Sequence, residues 1–132
     1  MSVIYTDGSC VKNNAGGWAF CFVDADADWY LSDGVENTTN NRMELMAVIE
    51  AIKFVSSKDC IIYTDSQLVK NCAEGVWKRK CNMDLWSLYD IVSMGKNIKY
   101  IWVKAHNGDF YNEKVDKLAN MEAKKIFLKN NK

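Results

Sequence analysis

The tetrapeptide IYTD occurs twice in this 132-residue chain, at 4–7 and at 62–65. Each copy closes a run rich in β-branched and aromatic residues, SVIYTD (2–7) and CIIYTD (60–65), and such runs favour strands. If the two strands lie parallel and adjacent, Asp7 and Asp65 stand side by side at their carboxyl ends. That edge is where open α/β sheets build their sites. Four letters also recur by chance, so the rest of the chain has to support the pairing.

GGWAFCFVD (16–24) and WYLSDGV (29–35) read as two more strands, with DADAD turning between them. A helix is predicted over 41–55, a short helix from Ser66 and another helix over 83–95. A strand follows at 98–104 (IKYIWVK) and a last helix over 112–129. Three strands in an antiparallel meander, followed by alternating helix and strand, predict an α/β domain with a five-stranded mixed sheet flanked by helices. The chain has no proline, linker or low-complexity tract, so a single domain over 1–132 is expected.

Two of the helices carry an acid on the wrong side. At about 100° per residue, Glu44 shares its face with Ala47, Val48, Ala51 and Val55, while Arg42, Glu50 and Lys53 lie opposite. In the last helix Asp116 falls on the side of Ala119, Ala123 and Phe127, away from Lys117, Lys124 and Lys125. An ionised carboxylate turned toward a core is costly unless something pairs with it.

Local explanations exist for the acids taken singly. Asp7-Gly8 is a turn signal, Glu44 follows Asn41 by three residues as in a capping box, and Asp65 can cap the helix near Ser66. A solvated acid among lysines is the ordinary reading of Asp116. One shared cause is more economical than four separate ones, and a divalent cation is that cause. Mg²⁺ prefers oxygen ligands and keeps waters. Four carboxylates match two such ions in charge, and a pair about 3.5–4 Å apart activates an attacking oxygen and stabilises a leaving one. Phosphoryl transfer and phosphodiester hydrolysis need this arrangement.

Composition narrows the class further. Hydrophobic content of 48% with five Trp, six Tyr and five Phe argues for a folded globule. No stretch approaches the roughly 18 uncharged apolar residues of a membrane span. MSVIYTDGSC lacks the basic start and apolar run of a signal peptide, so a cytoplasmic location is expected. Five cysteines without a C-x-x-C spacing, and one histidine, suggest neither a zinc site nor a disulfide framework. Net charge is zero, yet residues 1–50 hold eight acids against two bases and residues 96–132 hold nine lysines against four acids. The basic C-terminal third points to a polyanion partner.

The blocks YTDGSC (5–10), TTNNRMELMA (38–47), TDSQ (64–67) and WVKAHNGDFYNEKVDKLA (102–119) carry a resemblance over nearly the whole chain. In order and approximate spacing the sequence resembles type 1 ribonuclease H. That resemblance implies the ribonuclease H-like fold and hydrolysis of the RNA strand of an RNA–DNA hybrid, leaving 5′-phosphate and 3′-hydroxyl ends. It assigns Asp7, Glu44, Asp65 and Asp116 to two Mg²⁺ ions, with Mn²⁺ as a substitute. It assigns His106 to protonating the leaving oxygen or assisting product departure, tasks that suit an imidazole, and places Asn112 at the edge of the site.

The resemblance also implies that Cys10, Asn13, Asn40 and Gln67 read the RNA strand, whose 2′-hydroxyls small polar side chains can recognise. Thr39 and Asn82 match the pocket for a DNA phosphate, and Trp77 is the candidate aromatic of the DNA channel. The chain departs from the pattern in its short segment between Asp65 and NMDLW (82–86), where only WKRK (77–80) remains of a basic patch. Asn37 replaces a basic residue, Ala105 a glycine, and the loop after Asn13 lacks a proline. Fewer phosphate contacts imply weaker, less salt-sensitive binding. A monomeric enzyme is expected. The alternatives are a non-catalytic hybrid-binding module of the same fold, and a junction-resolving or transposing nuclease.

Overall fold

A computed structural model describes residues 1–130; the last two residues of the domain expected over 1–132 lie outside the described residues. The strands are β1 (Ser2–Val11), β2 (Ala15–Val23), β3 (Trp29–Val35), β4 (Asp59–Thr64) and β5 (Asn97–Trp102). The helices are α1 (Asn40–Phe54), α2 (Gln67–Ala73), α3 (Met83–Val92) and α4 (Phe110–Asn130). They form one mixed sheet of order β3-β2-β1-β4-β5. The β1–β2 and β2–β3 pairs are antiparallel, and β1–β4 and β4–β5 are parallel. The α/β architecture with a three-strand meander and added parallel strands is the one expected.

The repeated tetrapeptide pairs with itself. Ile4 lies opposite Ile62 and Tyr5 opposite Tyr63, and the two tyrosine rings stack with centroids 4.4 Å apart and planes 8° apart. Identical residues in parallel register place identical side chains on the same face, so Asp7 and Asp65 follow at the same level.

Several strand boundaries shift by a residue or two, β5 ending at Trp102 rather than at 104, and the end of β1 departs furthest from expectation. Asp7 does not close β1: pairing with β4 stops at Tyr5–Tyr63, but the hairpin with β2 continues from Asp7–Ala19 to Val11–Ala15. The chain reverses instead at Lys12–Asn14, where Asn13 and Asn14 take φ of 62° and 57°, a conformation asparagine tolerates. Gly8 is therefore no turn residue. A Cβ there would stand 2.2 Å from the backbone nitrogen of Glu44, so its bare backbone lets α1 come down onto the strand.

Alternation along β1 and β2 divides the molecule into two layers. Ile4, Trp18 and Phe20 join Met43, Leu45, Val48, Ile49 and Ile52 of α1, Ile62 of β4, and Leu85, Trp86 and Tyr89 of α3 in the main core. The opposite face packs Ala19 and Cys21 against Val115 and Ala119 of α4, and small residues there bring that helix close. All five cysteines are free. Among the described residues no helix is long and apolar enough to cross a membrane.

Helix starts follow side-chain caps. Thr39 Oγ1 accepts from Arg42 N–H and Ser66 Oγ from Val69 N–H. Asp109 Oδ1 accepts from Asn112 N–H at 2.9 Å, which starts α4 two residues before the predicted position. These caps remove two of the local explanations: Glu44 has no capping-box place and Asp65 is not the cap of α2.

Candidate active site

Asp7, from the middle of β1, and Glu44, from the second turn of α1, are both buried, with 3% and 5% of their surface exposed. Asp65 follows β4 directly and is half-buried; its carbonyl accepts from Trp102 Nε1 at 3.2 Å, which ties it to the end of β5. Carboxylate oxygens of Asp7, Glu44 and Asp65 all lie within 4.8 Å of one another. The Gly8 N–H donates to Asp7 Oδ1 at 2.9 Å and also to Glu44 Oε1. The other Asp7 oxygen, Oδ2, is buried without a hydrogen-bond partner.

Burial is the largest cause pushing both acids upward. It raises Asp7 to about 8, with the Glu44 hydrogen bond opposing and the charge of Asp65 and the nearby Asp116 carboxyl adding to the rise. Glu44 is raised well above the ordinary carboxylate range by burial and then by Asp7. Without a cation the pair therefore retains a proton near neutrality. An oxygen-only donor set, an unpartnered buried oxygen and mutual repulsion are together what a hard divalent cation relieves. The residues fit such an ion.

Asp116, on the first turns of α4, approaches closely enough for its charge to raise Asp7, but it lies outside the mutual 4.8 Å span of the other three. His106 Nδ1 stands 4.0 Å from Asp116 Oδ2, with 76% of the imidazole exposed. Its φ of 56° and Gly108's of 82° fold the 103–109 loop back toward the head of α4. Asn112 is buried, and its N–H donates to Asp109 at the end of that loop.

The expected substrate contacts fall into groups. Cys10 Sγ lies 3.6 Å from the Thr38 carbonyl, and Thr38 N–H donates to Asn14 O at 2.9 Å. The turn carrying Asn13 is thus bound to the head of α1, where Asn40 is exposed. Gln67 opens α2, two residues past Asp65. Thr39 and Asn82 are joined by one arginine: Arg42 N–H donates to Thr39 Oγ1, and Arg42 Nη1 to Asn82 Oδ1 at 3.2 Å. Asn82 holds φ of 58° at the head of α3. Trp77 stands apart beyond the far end of α2, 45% exposed, its N–H on Asn71 O.

Sequence reasoning missed two arginines. Arg42, read as solvent-facing, makes a two-pronged ion pair with Asp84 at 3.0 and 2.7 Å; only the acid in the first turn of α3 hinted at this. Arg79, counted with the basic patch, is folded inward. Its guanidinium lies 4.2 Å over Trp86, pairs with both oxygens of Asp90 and donates to Cys72 O. Lys78 and Lys80 remain beside a cavity of about 250 Å³ that Asn82 also lines.

A sequence model of the RNase H family matches residues 1–124. The chain belongs to the ribonuclease H family. Ribonuclease HI of Campylobacter jejuni subsp. jejuni serotype O:2 is 43% identical over 140 aligned positions, covering 96% of this chain and 94% of that protein. Ribonuclease H of Wolbachia pipientis wMel is 44% identical, over 89% and 91% of the two chains. The fold agrees with solved ribonuclease H domains. The N-terminal RNase H domain of a Mycobacterium tuberculosis protein superposes with a TM-score of 0.86 at 22% identity, over 98% and 97% of the chains. LC11-RNase H1, solved in complex with an RNA/DNA hybrid, gives 0.81 at 22% identity, over 95% and 98%.

Proposed function

We propose that this chain is a divalent-cation-dependent endonuclease that hydrolyses the RNA strand of RNA–DNA hybrids, leaving 5′-phosphate and 3′-hydroxyl ends. The observation that carries the reading is the buried Asp7–Glu44–Asp65 cluster with its orphaned Asp7 oxygen, in a chain of the ribonuclease H family. Asp7, Glu44, Asp65 and Asp116 would hold two Mg²⁺ ions, with Mn²⁺ as a substitute. When bound, such ions supply a water of lowered pKa and charge stabilisation at the scissile phosphate.

The chain's own groups do the rest. The Gly8 N–H aims Asp7 and Glu44 at a common point. His106, exposed and 4.0 Å from Asp116, can exchange protons with solvent and deliver one to the leaving oxygen. Cys10 at the end of β1, Asn13 in the turn after it, Asn40 at the head of α1 and Gln67 at the head of α2 suit 2′-hydroxyl recognition. Thr39 and Asn82, held on Arg42, suit a DNA phosphate, with Trp77 the aromatic proposed to line the rest of the DNA path. Asn112 bounds the site from the first turn of α4. The enzyme is proposed to act as a cytoplasmic monomer, on a single domain.

The hybrid-bound LC11 enzyme supports the substrate assignment. A pure binding module of the same fold gains nothing from burying carboxylates that repel one another. The deciding experiment incubates an end-labelled RNA–DNA hybrid with and without Mg²⁺, beside duplex DNA and duplex RNA. Mg²⁺-dependent fragments from the RNA of the hybrid alone are expected. An intact hybrid bound by the protein would select the binding module, and cut duplex DNA would select another nuclease.

A further inference from the structure

Asp116 is the acid that stands outside the tight group of Asp7, Glu44 and Asp65. It comes from α4, on the opposite side of the sheet from α1, and 28% of its side chain is exposed. Its two oxygens face different partners: Oδ2 faces His106, while Oδ1 lies 3.4 Å from Asn120 Nδ2. Asn120 stands one turn further along α4, at the i+4 spacing where amide and carboxylate side chains meet.

The orientation of the Asn120 amide is set by Asp116, which offers it two acceptors. Its Nδ2 also donates to the Asp116 backbone carbonyl at 3.2 Å, so the NH₂ end faces two acceptors. The Oδ1 end must then accept, and Ser9 Oγ donates to it at 2.7 Å. Reversing the amide would set a carbonyl oxygen against both Asp116 acceptors and cost those two bonds, the Ser9 hydroxyl being able to accept as well as donate. Ser9 is buried and lies on β1 two residues after Asp7, on the same strand face. A continuous chain of bonds thus runs from the Asp7 strand through Asn120 to Asp116.

We propose that Asn120, anchored to β1 by Ser9, is a positioning residue that holds the Asp116 carboxylate beside the Asp7–Glu44–Asp65 cluster. The inference rests on the proposed cation-dependent function and deepens it. Without the tie, Asp116 keeps its charge but samples other rotamers. The cluster then loses cation affinity and turnover while the fold is unchanged.

The test compares wild type, Asn120→Leu, Ser9→Ala and the double variant. Each is titrated with Mn²⁺ by calorimetry, assayed on a labelled hybrid for kcat and KM, and melted in EDTA. Asn120→Leu is expected to weaken Mn²⁺ binding and lower kcat about 10-fold, with KM and the metal-free melting temperature little changed. Ser9→Ala, which removes one oxygen, moves both quantities the same way by less. The double variant adds nothing to Asn120→Leu, because the two act in series. Unchanged Mn²⁺ affinity in both single variants overturns the proposal, as do losses that only track a lower melting temperature. A wild type that binds Mn²⁺ through this tie yet leaves the hybrid intact would remove the proposed function and leave the positioning role standing.

Discussion

Asp7 and Glu44, from a strand and a helix 37 positions apart in the chain, converge on one backbone donor, the N–H of Gly8. A single N–H cannot satisfy two carboxylates, and the Asp7 oxygen left over has no partner.

This geometry makes metal-free stability depend on pH in an unusual direction. Asp7 is raised to about 8 and Glu44 is raised as well, above the ordinary carboxylate values of the unfolded chain. A raised folded-state pKa contributes stability that is fully present below the unfolded value and lost as pH climbs through the folded one. In EDTA the protein should therefore lose stability between about pH 5 and pH 8, at up to about 1.4 kcal/mol per pH unit for each proton released. Saturating Mg²⁺ should reverse the trend by binding the folded state. Urea melts at pH 5 and pH 8, with and without Mg²⁺, measure both effects. A flat metal-free profile would contradict the buried pair.

Asp7→Asn separates stability from activity. An asparagine keeps the shape, removes one charge and can donate to Glu44, so the metal-free melting temperature at pH 8 should rise. Hybrid cleavage should be abolished because a proposed cation ligand is lost, while hybrid binding in a filter assay stays near wild type. A variant that cuts as well as wild type under Mg²⁺ removes Asp7 from the chemistry.

The two arginines should behave oppositely. Arg79→Ala removes packing over Trp86 and the bond to Cys72 O, so it should cost about 1–2 kcal/mol of stability and leave KM for the hybrid unchanged. Arg42→Ala breaks an exposed ion pair of the kind that adds little stability but frees the Asn82 carboxamide. Its melting temperature should hold while KM rises by up to about 10-fold, the worth of one hydrogen bond. Thermal melts and steady-state kinetics on both variants check the crossing.

The architecture was legible because it is written in short-range patterns. β-Branched and aromatic runs mark all five strands, and the IYTD repeat gave the register of β1 against β4 through Tyr5 and Tyr63. Periodicity alone set Glu44 and Asp116 on inward faces. What escaped is long-range or ambiguous locally. Asp7-Gly8 has the composition of a turn, so the extension of β1 to Val11 depends on β2 pairing that no local window contains. The start of α4 was misplaced because Asp109 was not recognised as its cap. Arg42 looks solvated until Asp84, 42 positions away, arrives beside it. The tie from Ser9 to Asn120 spans 111 positions and has no sequence signature.

Gly8 supplies the sharpest test of how the fold makes the site. A methyl group there would lie 2.2 Å from Glu44 N and 2.3 Å from Met43 C, both backbone atoms that cannot rotate aside, so α1 must lift from the strand. Gly8→Ala should cost about 1–3 kcal/mol or more from overpacking and, by parting Glu44 from Asp7, weaken Mn²⁺ binding. Gly75→Ala is the matched control: nothing lies within 4 Å of its added Cβ, yet its φ of +77° strains an alanine, at about 1–2 kcal/mol. Both variants should melt earlier, but only Gly8→Ala should lose cation affinity in calorimetric titration at a temperature where both remain folded. Equal affinities would mean that the approach of α1 to β1 does not set the spacing of the acid pair.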